Sequence, residues 1–511
     1  MCGFVCLWKV GNEALAGRMI ERIAHRGPDA VEVATLPGAP VVMAHCRLSI
    51  IGTSDGRQPI HQTGDLLVAN GEIYNHEDLR AILGESAFET ASDSEAILHL
   101  FRSGESRWIS KLDGMFAFVL ATRERIIAAR DPLGIKPLYL ARLGGGLAFA
   151  SELKAFDGVE LDSIEAIPPG SLYDSRDGWR QWYRTPHGAA ELEEGQDVEH
   201  IAHELRLVLE ESVAKWMVAD VEVGSFLSGG LDSSIIAAIA QKVRRDAGKG
   251  PLKTFAVGTE GSPDLAAARR VAEHIGSDHR EYAFTAKDVA DNLPHVIYHL
   301  ESADVDLVRS AVPTLFAARL AREDVKAVLT GEGADELFAG YAYHHAYVDD
   351  PRALADELTR SLGTMHNINL QRVDRVTMAE SLEARTPFLD RELIDFAQSV
   401  PAALKLCRTD PEVVESTGET TEKWILRKAC ADLLPPDLVW RKKAQFDEGS
   451  GAVDALDEAL RYLTGSAGRV NREDEAALYE RILRDQFENA DRILETAGQW
   501  TAGRVVPESA D

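Results

Sequence analysis

Short apolar runs separated by turn-forming residues dominate the first third of the chain. The runs lie at 41–44, 66–69, 115–121, 126–129, 137–141 and 147–150. Their length, and turns between them such as Pro37-Gly38 and Gly144-Gly145, predict β-strands. Two stretches, at 13–25 and 94–103, have helical periodicity instead. We therefore predict an α+β sandwich for residues 2–185.

The hydrophobic pattern changes after a polar, aperiodic stretch at 184–197, which we interpret as the linker between two domains. Beyond the linker, strand, loop and helix recur in that order. The predicted strands are 221–227, 252–257 and 327–329, and the predicted helices are 200–217, 233–243 and 265–275. This alternation is typical of a parallel sheet covered by helices. It predicts an α/β parallel-sheet domain over residues 198–505, which becomes mostly helical after residue 351.

Composition and charge narrow the possible functions. The chain has 511 residues, 45% of them hydrophobic, and no apolar run approaches the about 18–20 residues of a membrane span. A net charge of −28 argues against nucleic acid or an anionic membrane as a partner. The five cysteines include no Cys-x-x-Cys pair, and the N-terminus lacks the features of a signal peptide. We therefore predict a cytoplasmic protein with neither kind of partner.

The strongest chemical signal is the run SFLSGGLDSS at 225–234, where a predicted strand meets a helix. The two glycines allow backbone N–H groups to approach an anion, and the helix N-terminus adds a positive dipole. The Lys-Ser/Thr of a Walker loop is absent, so this is a different kind of phosphate loop. Asp232 would repel a phosphate unless a cation bridges the two, and we therefore predict Mg²⁺ at this residue.

A second signal is the cysteine that directly follows the initiator methionine. Removal of Met1 would place an α-amino group, with a pKa of roughly 7.7–8.0, beside a thiol of roughly 8.5. Cys2 would then supply both a nucleophile and a base, so no catalytic histidine is needed.

The second half of the chain resembles the synthetase domain of glutamine-hydrolysing asparagine synthetases, which has the ATP-pyrophosphatase fold. The resemblance rests on the loop at 225–234, on LTGEGADELFAGY at 329–341, and on segments at 255–258, 261–264, 381–390, 422–427 and 440–446. The first half resembles class II glutamine amidotransferase domains, which are Ntn-hydrolase-like αββα sandwiches. That resemblance rests on segments at 2–3, 25–29, 45–50, 70–75, 92–95, 113–117 and 130–139.

The resemblance implies an ATP site in the second domain. The residues implied to bind ATP are Leu227, Ser228, Gly229, Gly230, Asp232, Ser233, Val257 and Gly331. Asp232 and Asp335 are implied to hold Mg²⁺ on the phosphates. Lys443 is implied to face the phosphates or the adenylate, where its charge offsets the developing anion. Glu332 is implied to order the acceptor or to take a proton from ammonia.

The same resemblance implies a glutaminase site in the first domain. Cys2 is the implied nucleophile. Arg47 matches the partner that the glutamine α-carboxylate needs, and Glu72 or Asp93 matches its α-ammonium. Asn70, also a glutamine-binding residue, and the Gly71 backbone N–H match the donors that a tetrahedral oxyanion needs.

The two resemblances together predict a glutamine-dependent asparagine synthetase, acting as a homodimer, that uses Mg-ATP, glutamine and aspartate. Residues Asp306-Leu307 stand where well-studied relatives have a Thr-Thr pair, before Arg309, which could hold an acceptor carboxylate. The alternative is an amidotransferase acting on another carboxylic acid in secondary metabolism. β-Lactam synthetases share the architecture but typically lack the N-terminal cysteine, so Cys2 argues against that class.

Overall fold

The computed structural model describes residues 2–62, 64–189, 191, 195–408, 420–441 and 449–498. Twelve strands and three α-helices form the N-terminal part. The strands are β1 (Cys2–Trp8), β2 (Ala30–Thr35), β3 (Val41–Arg47), β4 (Ile60–Gln62), β5 (Asp65–Ile73), β6 (Gly114–Ala121), β7 (Ile126–Arg130), β8 (Tyr139–Leu143), β9 (Gly146–Ala150), β10 (Ser163–Ala166), β11 (Ser171–Asp174) and β12 (Gly178–Gln181). The helices are α1 (Glu13–Glu21), α2 (His76–Leu83) and α3 (Glu95–Arg102).

These strands form two six-stranded antiparallel sheets that pack face to face. The first has the order β10-β8-β9-β1-β3-β2 and the second β12-β11-β7-β6-β5-β4. Apolar side chains such as Phe4 and Met43 from the first sheet meet Val68 and Val119 from the second. Helix α1 packs on the outer face of the first sheet, and α3 packs against the second. The layers follow the order αββα, which confirms the predicted sandwich.

The C-terminal part is built around one parallel sheet. Its strands are β13 (Val223–Phe226), β14 (Lys253–Gly258), β15 (Asp278–Ala283), β16 (Ala327–Leu329) and β17 (Glu383–Arg385), in the order β15-β14-β13-β16-β17. All four pairings between them are parallel. A separate antiparallel pair joins β18 (Leu406–Arg408) to β19 (Thr420–Glu422). The predicted α/β domain is confirmed.

Helices cover this sheet and extend beyond it. They are α4 (Val198–Trp216), α5 (Leu231–Asp246), α6 (Pro263–Ile275), α7 (Ala286–Leu300), α8 (Val305–Ala321), α9 (Ala334–Phe338), α10 (Pro351–Thr364), α11 (Asn369–Ala379), α12 (Arg391–Ser399), α13 (Ala402–Lys405), α14 (Trp424–Ala429), α15 (Pro436–Val439), α16 (Ala452–Thr464), α17 (Arg472–Gln486) and α18 (Ala490–Thr496). Helix α6 shows how local sequence sets its ends. Ser262 caps the first turn by accepting from Leu265 N, Pro263 fits the first position, and Gly276 ends the helix at φ +71°.

Buried charges join the two domains. We call them the interdomain ion network, which consists of Arg26, Lys136, Glu152, Lys154, Glu301, Asp374 and Arg375. Each of these side chains is no more than 3% exposed. Arg26 reaches from the N-terminal domain to Asp374 on α11, with Nη1–Oδ2 and Nη2–Oδ1 distances of 2.8 and 3.1 Å. Charges buried this deeply must be paired, so the network fixes how the two domains meet.

Candidate active sites

Cys2 is the first residue of β1, at one end of the N-terminal sandwich, and lies opposite Arg47 on β3. Two side chains hold the backbone of this cysteine. Its N–H donates to Asn70 Oδ1 at 3.0 Å, and its carbonyl accepts from Arg26 Nε at 2.9 Å. Burial raises the pKa of the Cys2 thiol. Cys2 is therefore fixed from both sides before any substrate binds.

The side-chain amide nitrogen of Asn70 is available as a hydrogen-bond donor near Cys2. Its Nδ2 is buried and has no hydrogen-bond partner among the described residues. Gly71 follows at φ +138°, and a Cβ there would lie 1.9 Å from the carbonyl oxygen of Met115. The position thus accepts only glycine, and β5 passes close against the backbone of β6 there. A buried, unsatisfied N–H is costly, so the Nδ2 group fits the role of an oxyanion donor.

The residues predicted to bind glutamine lie around the same end of the sandwich. Arg47 Nη2 donates to the carbonyl oxygen of Gly52 at 2.6 Å, which orients its guanidinium. Asp93 accepts from Ile73 N at 2.6 Å and is 5% exposed. Burial raises the pKa of Asp93, and burial together with the Glu383 carboxylate raises that of Glu72. An incoming ammonium group would lower both pKa values again, because a cation nearby favours the charged carboxylate that pairs with it.

The glycine loop connects β13 to α5 as predicted. Gly229 adopts φ +75°, and a Cβ on it would lie 2.6 Å from the Ala267 side chain. Inside the loop, Ser228 N donates to Ser233 Oγ at 3.2 Å, and Gly230 N donates to Ser228 Oγ at 3.3 Å. The two hydroxyl oxygens are 3.0 Å apart. The loop therefore gathers hydroxyls and N–H groups at the N-terminus of a 16-residue helix, an arrangement that suits phosphate.

Leu227, Val257 and Gly331 lie at the carboxyl ends of adjacent parallel strands or directly after them. Leu227 N donates to the carbonyl oxygen of Phe255 at 2.8 Å, which joins the ends of β13 and β14. A Cβ on Gly331 would lie 2.8 Å from both Asp232 Cβ and Ser233 N. The second glycine segment thus packs directly on the phosphate loop, at the sheet edge where ligands of open α/β folds bind.

Asp232 and Asp335 converge on one ammonium group. Lys423 Nζ lies 2.6 and 2.5 Å from the two carboxylate oxygens of Asp232 and 2.5 Å from Asp335 Oδ1. Burial by itself lowers the pKa of Lys423, but the two carboxylates outweigh it and the net shift is upward. The two carboxylates lie close enough together to share one cation. They therefore also fit a Mg²⁺ ion, whose other ligands would be phosphates and water. The sequence prediction gave Lys423 no role, although it belongs to the 422–427 segment of the resemblance.

Glu332 lies beside this pair. Its Oε2 accepts from Arg372 Nη2 at 2.7 Å, and Arg372 Nη1 also donates to Thr314 Oγ1 at 3.2 Å. Burial, then the neighbouring Glu332 and Asp335 carboxylates, raise the pKa of Glu336 to about 8. The sequence prediction missed Arg372, and no local motif singles it out.

Two predicted site residues remain, Lys443 and Arg309. Lys443 lies outside the described residues. Arg309 donates from Nε and Nη2 to the carboxylate of Glu475, both at 2.7 Å, and from Nη2 to Asp457 at 3.0 Å. Its charge is therefore paired with acids of the C-terminal helices, and its role in holding an acceptor carboxylate stays a prediction. Asp306 is half exposed and pairs with Arg472.

Within the described ranges, no three His, Cys, Asp or Glu side chains form a group that could bind a metal without a further ligand. None of the described helices is both long and apolar enough to cross a membrane.

Comparisons with known proteins agree with this two-part architecture. A family model described as a glutamine amidotransferase domain matches residues 1–167, and one described as asparagine synthase matches residues 204–353 and 346–506. The glutamine-hydrolyzing asparagine synthetase of Asparagus officinalis is 38% identical over 474 residues, covering 88% of this chain and 78% of that protein. Asparagine synthetase 2 of Oryza sativa subsp. japonica is 36% identical over 536 residues, covering 98% and 88%.

The αββα sandwich carrying Cys2 and the parallel sheet carrying the glycine loop define a two-domain protein. It pairs a domain that matches glutamine amidotransferase domains with one that matches asparagine synthase. With both family models matched and relatives at 36–38% identity over most of its length, the chain belongs to the glutamine-hydrolysing asparagine synthetase family.

Proposed function

We propose that this protein is a glutamine-dependent asparagine synthetase. It takes ammonia from glutamine in the N-terminal domain and uses ATP in the C-terminal domain to join that ammonia to the side-chain carboxylate of aspartate. The family match over both domains carries the proposal. No observation favours the alternative acceptor acids of secondary metabolism.

In the glutaminase half, removal of Met1 frees the α-amino group of Cys2, which takes the proton from its own thiol. The thiolate attacks the glutamine carboxamide, and Asn70 Nδ2 with Gly71 N donates to the resulting oxyanion. Collapse of this intermediate releases ammonia and leaves a thioester, which water hydrolyses to glutamate. Arg47 holds the substrate carboxylate, and Glu72 or Asp93 holds its ammonium.

In the synthetase half, Leu227, Val257 and Gly331 bind the adenosine, and the glycine loop holds the phosphates. Asp232 and Asp335 would bind Mg²⁺, which neutralises phosphate charge when it is present. The aspartate carboxylate displaces pyrophosphate from ATP to give an acyl-adenylate, and ammonia then displaces AMP. Glu332 accepts the proton that the attacking ammonia loses, and the hydrogen bond from Arg372 holds it in position.

Free ammonia in water is protonated and lost, so the two sites need a protected route between them. The charges at the interface between the domains are buried and paired, and we propose that the protected route runs along this interface. We further propose that the enzyme is cytoplasmic and homodimeric. Light scattering on the purified protein tests the dimer.

Product analysis tests the function. With aspartate, amide-¹⁵N glutamine and ATP, we expect labelled asparagine, AMP and pyrophosphate in equal amounts by mass spectrometry. The Cys2→Ala variant should lose glutamine hydrolysis yet still make asparagine from ammonium, because only the first half-reaction needs the thiol. If millimolar aspartate supports no pyrophosphate release while another acid does, aspartate is not the acceptor.

A further inference from the structure

Lys423 is a buried cation at the centre of the ATP site, and the mechanism above does not use it. Its side chain is 2% exposed, and Nζ contacts Asp232 and Asp335 at 2.5–2.6 Å. A lysine ammonium has three N–H donors and no acceptor. Both carboxylates proposed to hold Mg²⁺ therefore already share one positive charge.

The backbone is arranged to deliver this ammonium. Lys423 adopts φ +56°, a left-handed conformation that is costly for a residue with a side chain. Its N–H donates to the carbonyl oxygen of Phe338 at 3.1 Å, at the end of α9, the helix that carries Asp335. Backbone strain of this kind persists only where the surroundings enforce it, and it is concentrated at functional sites.

Gly340 provides the space that the lysine needs. A Cβ at this position would lie 2.2 Å from Lys423 Cε and 1.9 Å from Asp335 Oδ1. Any larger residue would push the ammonium away from the carboxylate. Gly340 and Lys423 come from distant segments, and together they create one contact with Asp335.

The charges determine what this contact does to a metal ion. Two carboxylates and one ammonium leave a net charge of −1 where a divalent cation would otherwise meet −2. A bare metal ion must therefore compete with Lys423. A metal ion that binds together with nucleotide phosphates brings acceptor oxygens. The flexible Lys423 side chain can then move its ammonium from the carboxylates to these oxygens.

We infer that Lys423 is a positioning residue, a built-in counter-cation that keeps Asp232 and Asp335 together and weakens metal binding until the nucleotide phosphates arrive. This inference rests on the proposed ATP site. It makes metal binding depend on nucleotide binding and keeps the acidic pair from being occupied by metal alone.

Metal titration without nucleotide tests the inference. We would titrate Mn²⁺ alone into the full-length protein and measure free Mn²⁺ by electron paramagnetic resonance. Lys423→Met and Lys423→Gln should each bind Mn²⁺ at least tenfold more tightly than the native protein, because the competing charge is gone. Lys423→Arg keeps the charge and should bind Mn²⁺ as weakly as the native protein does.

Lys428→Met is the matched control, since Lys428 lies on α14, which begins directly after Lys423, but pairs with Glu199 instead. It should leave Mn²⁺ binding unchanged. If neither uncharged variant binds Mn²⁺ more tightly, or if Lys423→Arg gains as much as they do, the counter-cation role is wrong. Circular dichroism identifies any variant that fails to fold, and the remaining uncharged variant then decides. The titration uses neither aspartate nor glutamine, so its outcome is independent of whether asparagine is the product.

Discussion

Asp374 offers a direct test of the interdomain ion network. It lies on α11, is 3% exposed, and accepts two hydrogen bonds from Arg26 across the domain boundary. Burial alone would raise the pKa of Asp374, but Arg26 and then Lys136 reverse this, so the net shift is downward. The carboxylate is therefore charged at neutral pH. Asp374→Asn keeps the shape of the side chain and removes that charge.

The expected loss follows from the charge count. The network holds four cations and three carboxylates, and the substitution leaves four cations facing two carboxylates. Removing one partner of a buried ion pair costs about 3–5 kcal/mol, because the remaining charge stays desolvated. At roughly 2–4 °C per kcal/mol for domains of this size, the melting temperature should fall by about 6 °C or more.

Thermal denaturation followed by circular dichroism measures this loss. The matched control is Asp349→Asn, whose carboxylate and its partner Arg408 are 72% and 64% exposed. An exposed pair contributes at most about 1 kcal/mol, so the control should melt within about 4 °C of the native protein. If Asp374→Asn shifts the melting temperature no more than the control does, the ion pairs of the interdomain ion network do not stabilise the fold.

Three further predictions concern the two sites and the response to pH. Asn70→Ala should lower the glutaminase kcat by about 10²–10³-fold through loss of an oxyanion donor, while ammonium-dependent synthesis continues; equal losses in both assays would contradict this. Arg372→Met should lower ammonium-dependent synthesis by about 10–100-fold, because one charged hydrogen bond to Glu332 is lost, and should leave glutamine hydrolysis intact. Burial lowers the pKa of His45 to about 3, whereas its pKa in the unfolded chain is about 6.5. Between these two pH values, only the unfolded chain binds the proton. His45 should therefore lower the free energy of unfolding by about 1.4 kcal/mol for each pH unit as the pH drops from about 6.5 towards 3. The melting temperature of His45→Gln should accordingly decrease less than that of the native protein between pH 6.5 and 5. An unchanged pH dependence in that variant would contradict the assignment.

Local pattern was enough to predict most elements of the fold. The apolar runs at 115–121 and 126–129 became β6 (Gly114–Ala121) and β7 (Ile126–Arg130), and the alternation after residue 198 became a parallel sheet. These predictions succeed because strand and helix periodicity is a property of neighbouring residues. Helix α2 (His76–Leu83) was missed because its eight residues, half of them apolar, are too few to show a helical period.

The site was partly readable from the sequence for the same reason. Cys2 stands out by its position and is supported by the motifs around it, and the glycine loop is recognisable from a run of ten residues. Both depend on chemistry that adjacent residues supply. The residues expected beside Cys2 and the glycine loop came from the family resemblance. The structure shows Asn70 in contact with Cys2 and Gly331 in contact with the loop.

Tertiary structure alone decided how charges are paired. Lys423 meets Asp232 across 191 positions, Arg26 meets Asp374 across 348, and Arg309 is neutralised by Glu475 across 166. No periodicity encodes such pairs, because a charged side chain in isolation carries no sign of the partner it will meet. Burial then determines how each charge is paired: a desolvated cation must take the nearest carboxylate, as Arg309 takes Glu475 and Lys423 takes Asp232.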